Sequence, residues 1–251
     1  MASIDKVYRT VKSLANKEQK GFITPAVFNR FAALAQQNIY NELFTELVDA
    51  KKVSRQNLDP GRDKSVRKRT LEDLSPFIKR ISNYGFDPSE RDGNVFFKPV
   101  DFSRLISLSR GHIDPDSTFN RVNIEIIYDA EKLQRVLGSN LSTPTGSFPV
   151  ALVSDAIEVF PNFITTIDLL YYRRPGGISE AGNGDFVDAD PQYASISFDG
   201  GLEIFDAASS IDFMLPNHYE SELVYEICKM IGISLNDPGM IQVAGQEEIK
   251  R

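Results

Sequence analysis

The chain has 251 residues but no tryptophan, one cysteine and two histidines. A lone cysteine, Cys228, excludes an intramolecular disulfide and removes thiolate zinc sites. It stands beside Ile227 in an apolar-periodic segment, which reads as a buried, inert thiol, because reactive thiols need an electropositive, exposed setting. His112 and His218 are far apart in sequence, and no Gly-x-Ser-x-Gly stretch supplies a nucleophile for either. Both read as turn or surface histidines. No run approaches the ~20 apolar residues of a membrane-spanning helix. The opening MASIDKVYRT has no apolar signal core, which predicts synthesis and folding in a cytoplasm. A net charge of −7 disfavours a general nucleic-acid binder. Otherwise the composition is that of an ordinary globular chain, at 41% hydrophobic and 25% charged. A chain this long buries roughly 70–75% of its unfolded surface and needs no covalent staple.

What the chain does contain begins with two helical patterns. Ile4, Val7, Tyr8, Val11 and Leu14 recur at helical spacing from about Ile4 to Ala15, with Ser3 as a candidate cap. A polar connection follows. Thr24 can then cap a second helix whose first position is Pro25, where a missing N–H costs nothing. Its stripe is Val27, Phe28, Phe31, Leu34, Ala35, Ile39, Leu43 and Leu47, and the pattern predicts an end near Leu47 or Val48. The opposite face, Asn29, Arg30, Gln36, Gln37 and Asn41, is rich in amides and suits contact with another protein. Asp59-Pro60-Gly61 reads as a turn inside a polar linker.

From Leu74 the periods shorten. Arg121–Tyr128 reads as a strand, Asp129–Leu137 as a short helix ended by Gly138, and Phe148–Val153 with Ala156–Phe160 as strands about Ser154-Asp155. Ile164–Tyr172 is a further strand. Arg173–Pro191 reads as a long loop, with six Gly or Pro among nineteen positions. Ala194–Phe198 and Leu202–Phe205 suggest a hairpin across Asp199-Gly200-Gly201. Asn217 and Glu220 suggest a capping box for a last helix, with Tyr219, Leu223, Ile227, Met230 and Ile231 buried and Gly232 as terminator. The order predicts an α+β fold: an N-terminal helical hairpin, a central, mostly antiparallel β region and a C-terminal helix. The corresponding regions are 1–73 (helical, with a basic linker), 74–215 (β-rich, with the loop 173–191) and 216–251 (helix and tail).

Chemistry-bearing motifs are few. The glycine-rich loop lacks both the Gly-Lys-Ser/Thr ending and the Gly-x-Gly-x-x-Gly spacing of phosphate binders. Asp185, Asp188 and Asp190 form an incomplete calcium set. No catalytic residue, cofactor, metal or small-molecule ligand is expected. The basic run Arg62, Lys64, Arg67, Lys68 and Arg69 locally reverses the chain's acidic character and is a candidate assembly contact. A protein partner fits it better than DNA, since no aromatic side chains interleave it, though a passing contact with DNA in a channel stays open. Ile178, Phe186 and Val187 are apolar anchors that a neighbour would bury.

Four stretches resemble a family of virion structural proteins of tailed bacteriophages, notably crAss-like phages and marine podoviruses. They are ANKEQKGFITPAVFN, SNLSTPTGSFPVA (Ser139–Ala151, similar to "S-x-L-x-x-P-T … P"), IEVFPNFITTIDLLYYRRP (Ile157–Pro175, similar to "I-x-V-x-P … Y-L-R-x-P") and HYESELVYEICKMIGISLNDPGMIQVAG near the end. Tyr172 replaces the leucine of the third pattern, and the tryptophan that follows its proline in the family is absent. The resemblance implies a non-enzymatic head-to-tail connector or adaptor. It would be a homo-oligomeric neck ring, twelve copies matching a portal, touching portal, ring or tail proteins and located in the virion. The alternatives from other classes are a virion-associated hydrolase and a nucleic-acid-binding accessory.

Overall fold

A computed structural model describes residues 1–17, 23–55, 60–85, 94–113, 119–179, 186–187, 189–197 and 203–234. Helices at both ends and antiparallel-rich sheets between them make the fold α+β, as the pattern predicts. The chain forms two compact units. One joins Met1–Pro76 to Pro175–Arg251; the other, Phe77–Arg174, is inserted between those halves. The sequence regions 1–73, 74–215 and 216–251 therefore do not coincide with the units. Periodicity reports local structure, and nothing in it signals that residues 175–215 return to pack with the N-terminal helices.

The discontinuous unit opens with α1 (Ile4–Lys17), α2 (Pro25–Arg55) and α3 (Pro60–Asp73). Thr24 caps α2: its Oγ1 accepts from the Val27 N–H at 3.4 Å and its carbonyl from Phe28 at 3.0 Å. The helix continues past Val48, because 49–55 holds no glycine or proline and polarity alone does not end a helix. The basic linker is helical too. Pro60 occupies the first position of α3, which its fixed φ suits, so the Asp-Pro-Gly signal marks a helix start. The burial stripes are shifted from those expected. Val27, Leu34 and Leu14 are exposed, while Ala15, Ala32, Gln36, Tyr40 and Phe44 are buried.

The inserted unit is a sandwich of two four-stranded sheets. It contains β1 (Ile78–Gly85), β2 (Val95–Phe97), β3 (Phe102–Ile113), β4 (Phe119–Asn123), β5 (Glu125–Ile127), β6 (Val150–Val153), β7 (Ala156–Phe160) and β8 (Thr166–Arg173). One sheet runs β1-β8-β3-β4 and the other β2-β7-β6-β5, all antiparallel except β5 against β6. Their inner faces share one core: Leu108, Leu169 and Tyr171 from the first, Phe96, Ala151, Ile157 and Val159 from the second. The expected strand 121–128 is two strands. At buried Ile124 the chain leaves one sheet for the other, with the Ile124 N–H donating to Leu108 and that of Glu125 to Pro149. The short helix α4 (Ala130–Leu137) starts at Asp129, whose carboxylate accepts from the Glu131 N–H at 2.9 Å, and ends at Gly138, as read from sequence.

The chain then returns to the first unit. The segment read as a loop after Arg173 holds β9 (Gly177–Ser179) and β10 (Phe186–Val187), which form a sheet with β13 (Ile211–Phe213) in the order β10-β9-β13. The expected hairpin is β11 (Ser195–Ser197) with β12 (Glu203–Phe205). The last helix, α5 (Glu220–Ser234), packs against both α1 and α2. No capping box forms, because Asn217 lies in a preceding 3-10 turn and Glu220 faces the N-terminus instead. Gly232 lies inside the helix, which runs on to Ser234. No described helix is long and apolar enough to cross a membrane.

Gly177 is a close approach. A Cβ there would lie 1.9 Å from Cγ2 of Ile211 and 3.2 Å from the carbonyl oxygens of Ala189 and Asp212. Overpacking of this kind costs about 1–3 kcal/mol. Gly177→Ala is expected to lower unfolding free energy by that amount in urea titrations. In a double-mutant cycle with Ile211→Ala, which removes the clashing methyl, the two losses should sum to more than the loss in the double variant.

Candidate assembly surface

The two halves of the discontinuous unit are stitched by polar side chains that the sequence presents as surface. Gln36 is 1% exposed, not part of an open amide face. Its Nε2 donates to the carbonyl of Gly176 at 2.7 Å, and its Oε1 accepts from the N–H of Met214 at 2.8 Å. Asn29 makes the same two-way bond with the backbone of Tyr193, at 3.1 and 2.8 Å. Backbone groups at Gly176, Met214 and Tyr193, beside the short strands, are satisfied by these amides, a necessity for buried chain. The N-terminus is held similarly. The N–H groups of Ala2, Ser3 and Ile4 donate to the Leu215 carbonyl, Glu220 and Asp212 at 2.8, 3.2 and 2.7 Å. Asp212, not the Ser3 side chain, thus supplies the anion at the start of α1. Tyr8 stacks on Tyr193 with ring centroids 3.9 Å apart, and its hydroxyl reaches Glu203, which also takes the Lys12 ammonium. Burial, then the Glu203 charge, raises the Tyr8 hydroxyl pKa to about 12.

The basic run occupies α3. Arg67, Lys68 and Arg69 are exposed, with Lys68 3.7 Å from Glu72 and Arg69 3.9 Å from Asp73. The side chains of Arg62 and Lys64 lie outside the described residues. Ile178 is buried within its own unit, so it is not spare for a neighbour. Val187 is half-buried, and the Phe186 side chain lies outside the described residues. His218 places Nε2 3.0 Å from Asp73, which also accepts from Tyr219 at 3.0 Å. His112 lies in β3 rather than a turn, its side chain outside the described residues. Burial raises the Cys228 thiol to about 11. Asp190 is exposed; Asp185 and Asp188 fall outside the described residues. Among the described residues no cluster of His, Cys, Asp and Glu is placed to hold a metal.

In the sandwich unit, polar staples lie on both sides of β8. Asp168, buried, accepts from Arg80 at 3.1 Å, Arg121 at 3.0 Å and the N–H of Asn83 at 3.0 Å. Asn83 has a positive φ of 54°, at an irregularity of β1. Arg121 spans β3 to reach Asp168, where the register places only Ser109 and Gly111 between them. Asp101 accepts from Lys79 and from Tyr171, both at 2.7 Å. Burial pushes the Asp101 carboxyl up, and the bonds from Lys79 and Tyr171 outweigh it, leaving its pKa lowered.

Among the described residues of this unit, three strongly exposed apolar side chains lie together at one segment, while others such as Val100 and Tyr128 stand apart from it. Leu141 is 99% and Phe148 79% exposed, and Phe163, at 62%, packs against the segment. The segment is built, not slack. Ser139 Oγ lies 3.3 Å from the N–H groups of both Leu141 and Ser142, and Thr143 Oγ1 donates to the Ser139 carbonyl at 2.5 Å. Thr145 and Phe148 exchange backbone bonds at 3.1 and 3.2 Å, and Pro144 is buried. A Cβ at Gly146 would sit 3.2 Å from the Phe163 ring and from the Arg110 guanidinium, which itself lies 5.3 Å over that ring. Isolated exposed apolar residues are normal, whereas several carried on one ordered segment mark a contact surface. The chain matches no known protein-family model and no curated protein. Sequence reasoning did not single out this segment's exposure. The Ser139–Thr143 spacing is the signal of its side-chain-to-backbone turn.

Two expectations follow. Gln36→Leu should cost about 1–3 kcal/mol in chemical denaturation, the penalty for stranding buried backbone groups at Gly176 and Met214, while Gln37→Leu on the exposed side changes stability by under about 0.5 kcal/mol. Asp101 has its lower pKa in the folded state. Its contribution is therefore complete above the unfolded value of about 4 and is lost as pH falls through the folded one. Stability measured against pH should decline across that acid window, and Asp101→Asn should flatten the decline.

Proposed function

We propose that this protein is a structural component of a tailed bacteriophage virion, forming a homo-oligomeric ring of the neck that extends the genome channel below the portal. One observation carries the reading. In Ser139–Ala151, which resembles the family's "S-x-L-x-x-P-T … P", Ser139, Pro144, Thr145 and Pro149 build or anchor the loop. Of the pattern's named positions, Leu141 contributes only its N–H to the loop's bonds, and its side chain stands almost wholly in solvent. A loop whose framework serves to hold a leucine outward is suited to contact with another protein. The next resembling stretch supplies the sandwich core through Ile157, Val159 and Tyr171, so the same pattern provides both scaffold and presented surface.

The mechanism is mechanical. Copies close into a ring through unlike patches, and the ring stacks between portal and tail. The basic Arg67–Arg69 face and the exposed loop are the surfaces offered to neighbours. The test is quantitative mass spectrometry of purified particles of the phage that encodes the chain. The proposal expects a fixed copy number equal to that of the portal, about twelve. Absence from particles, or one or two copies each, would contradict it.

A further inference from the structure

The exposed loop and a second apolar face are candidates to meet in neighbouring copies, an expectation that rests on the ring reading. Among the described residues, a second exposed apolar pair lies on the β11–β12 ribbon of the other unit. Ile196 and Ile204 are directly opposite each other across the strands and are 48% and 46% exposed. The opposite side of the ribbon turns inward, with Phe205 stacked on Tyr193 at 5.5 Å. The pair therefore forms a small apolar face on a held support.

Charge separates the two surfaces. The sandwich unit contains 11 basic and 12 acidic residues; the discontinuous unit contains 17 and 23. Arg110 lies against the loop, and Asp206 follows the ribbon directly. Contact between two discontinuous units would bring like charge together. Contact of a nearly neutral unit, edged by an arginine, with an acidic one avoids that cost. Area is the third consideration. Leu141, Phe148 and Phe163 expose on the order of 450 Å² of apolar surface, about the apolar share of one side of a standard interface. The ribbon offers less. The contact is thus weak singly and gains strength when repeated around a closed ring.

We infer that the 139–149 loop of one copy docks on the Ile196–Ile204 face of a second copy of this chain. The two patches are unlike, so the contact is heterologous: each copy keeps one loop and one ribbon open for further neighbours.

The experiment is sedimentation velocity on the purified full chain, with two variants, Leu141→Asp/Phe148→Asp and Ile196→Asp/Ile204→Asp. All four positions are exposed, and circular dichroism checks that each variant is folded. Wild type is expected to associate with rising concentration. Each variant alone should associate more than about tenfold more weakly. An equimolar mixture should regain association but stop at the heterodimer, because one intact loop meets one intact ribbon. Wild type that stays monomeric at about 1 mM overturns the inference. So does a folded loop variant that associates like wild type, or a mixture that fails to pair while both variants are folded. If the ribbon variant does not fold, single Ile196→Asp replaces it in the mixture. The two readings fail separately. Normal loop-to-ribbon pairing by a protein missing from particles removes the ring reading alone. Normal incorporation of the loop variant into particles removes this contact alone.

Discussion

The buried amide of Gln36 is the interaction on which the discontinuous unit depends. Its two polar atoms bind the Gly176 carbonyl and the Met214 N–H, segments separated from it by 140 and 178 positions. An inserted domain creates this problem. Once 77–174 folds on its own core, the chain on either side must still find its partner across a long loop, and closing such a loop carries an entropic cost. Short strands such as β9 and β13 cannot recover that cost by burial alone. The return is made specific by directed bonds from α2 through Gln36 and Asn29, from the N-terminus to Asp212 and Glu220, and from the Tyr219 hydroxyl to Asp73.

The inserted sandwich solves a different problem. Its core is apolar and shared by two sheets, while its polar staples sit where strands meet. Asp168 ties β1 and β4 to the central β8, and Asp101 is buried under Lys79 and Tyr171. Burying a carboxylate is costly unless it is paired and hydrogen-bonded, and each of these has at least two donors. The 139–149 loop is ordered by its own bonds from Ser139, Thr143 and Thr145 and by Arg110 and Phe163 against Gly146. Preorganisation of this kind lowers the entropy lost on binding, which matters most for a surface with only three large apolar side chains.

Much of the fold is legible in the sequence, for physical reasons that differ by element. The Thr24-Pro25 start, the Asp129 cap and Gly138 end of α4, and the β6–β7 and β11–β12 hairpins are local signals with local causes. What the sequence hides is long-range. Gln36 looks like surface because polarity alone does not reveal a distant backbone partner. The break at Ile124 is invisible because one continuous β-branched run serves two sheets. Val27 and Leu34 match the helical period yet stay exposed, because a stripe is wider than the face that neighbouring elements cover. In Ser139–Ala151 the sequence offers a family-like pattern but no sign of exposure; only the structure separates the residues that build the loop from the leucine side chain that stands in solvent.

The central claim is that Leu141 and Phe148 are exposed in the free chain in order to be covered in the assembly. Hydroxyl-radical footprinting of these two side chains in the isolated protein and in intact particles tests it most directly. The account predicts strong oxidation of both in the free chain and marked protection in particles, with Leu169 of the sandwich core protected in both. Equal oxidation of Leu141 and Phe148 in the two states would contradict it.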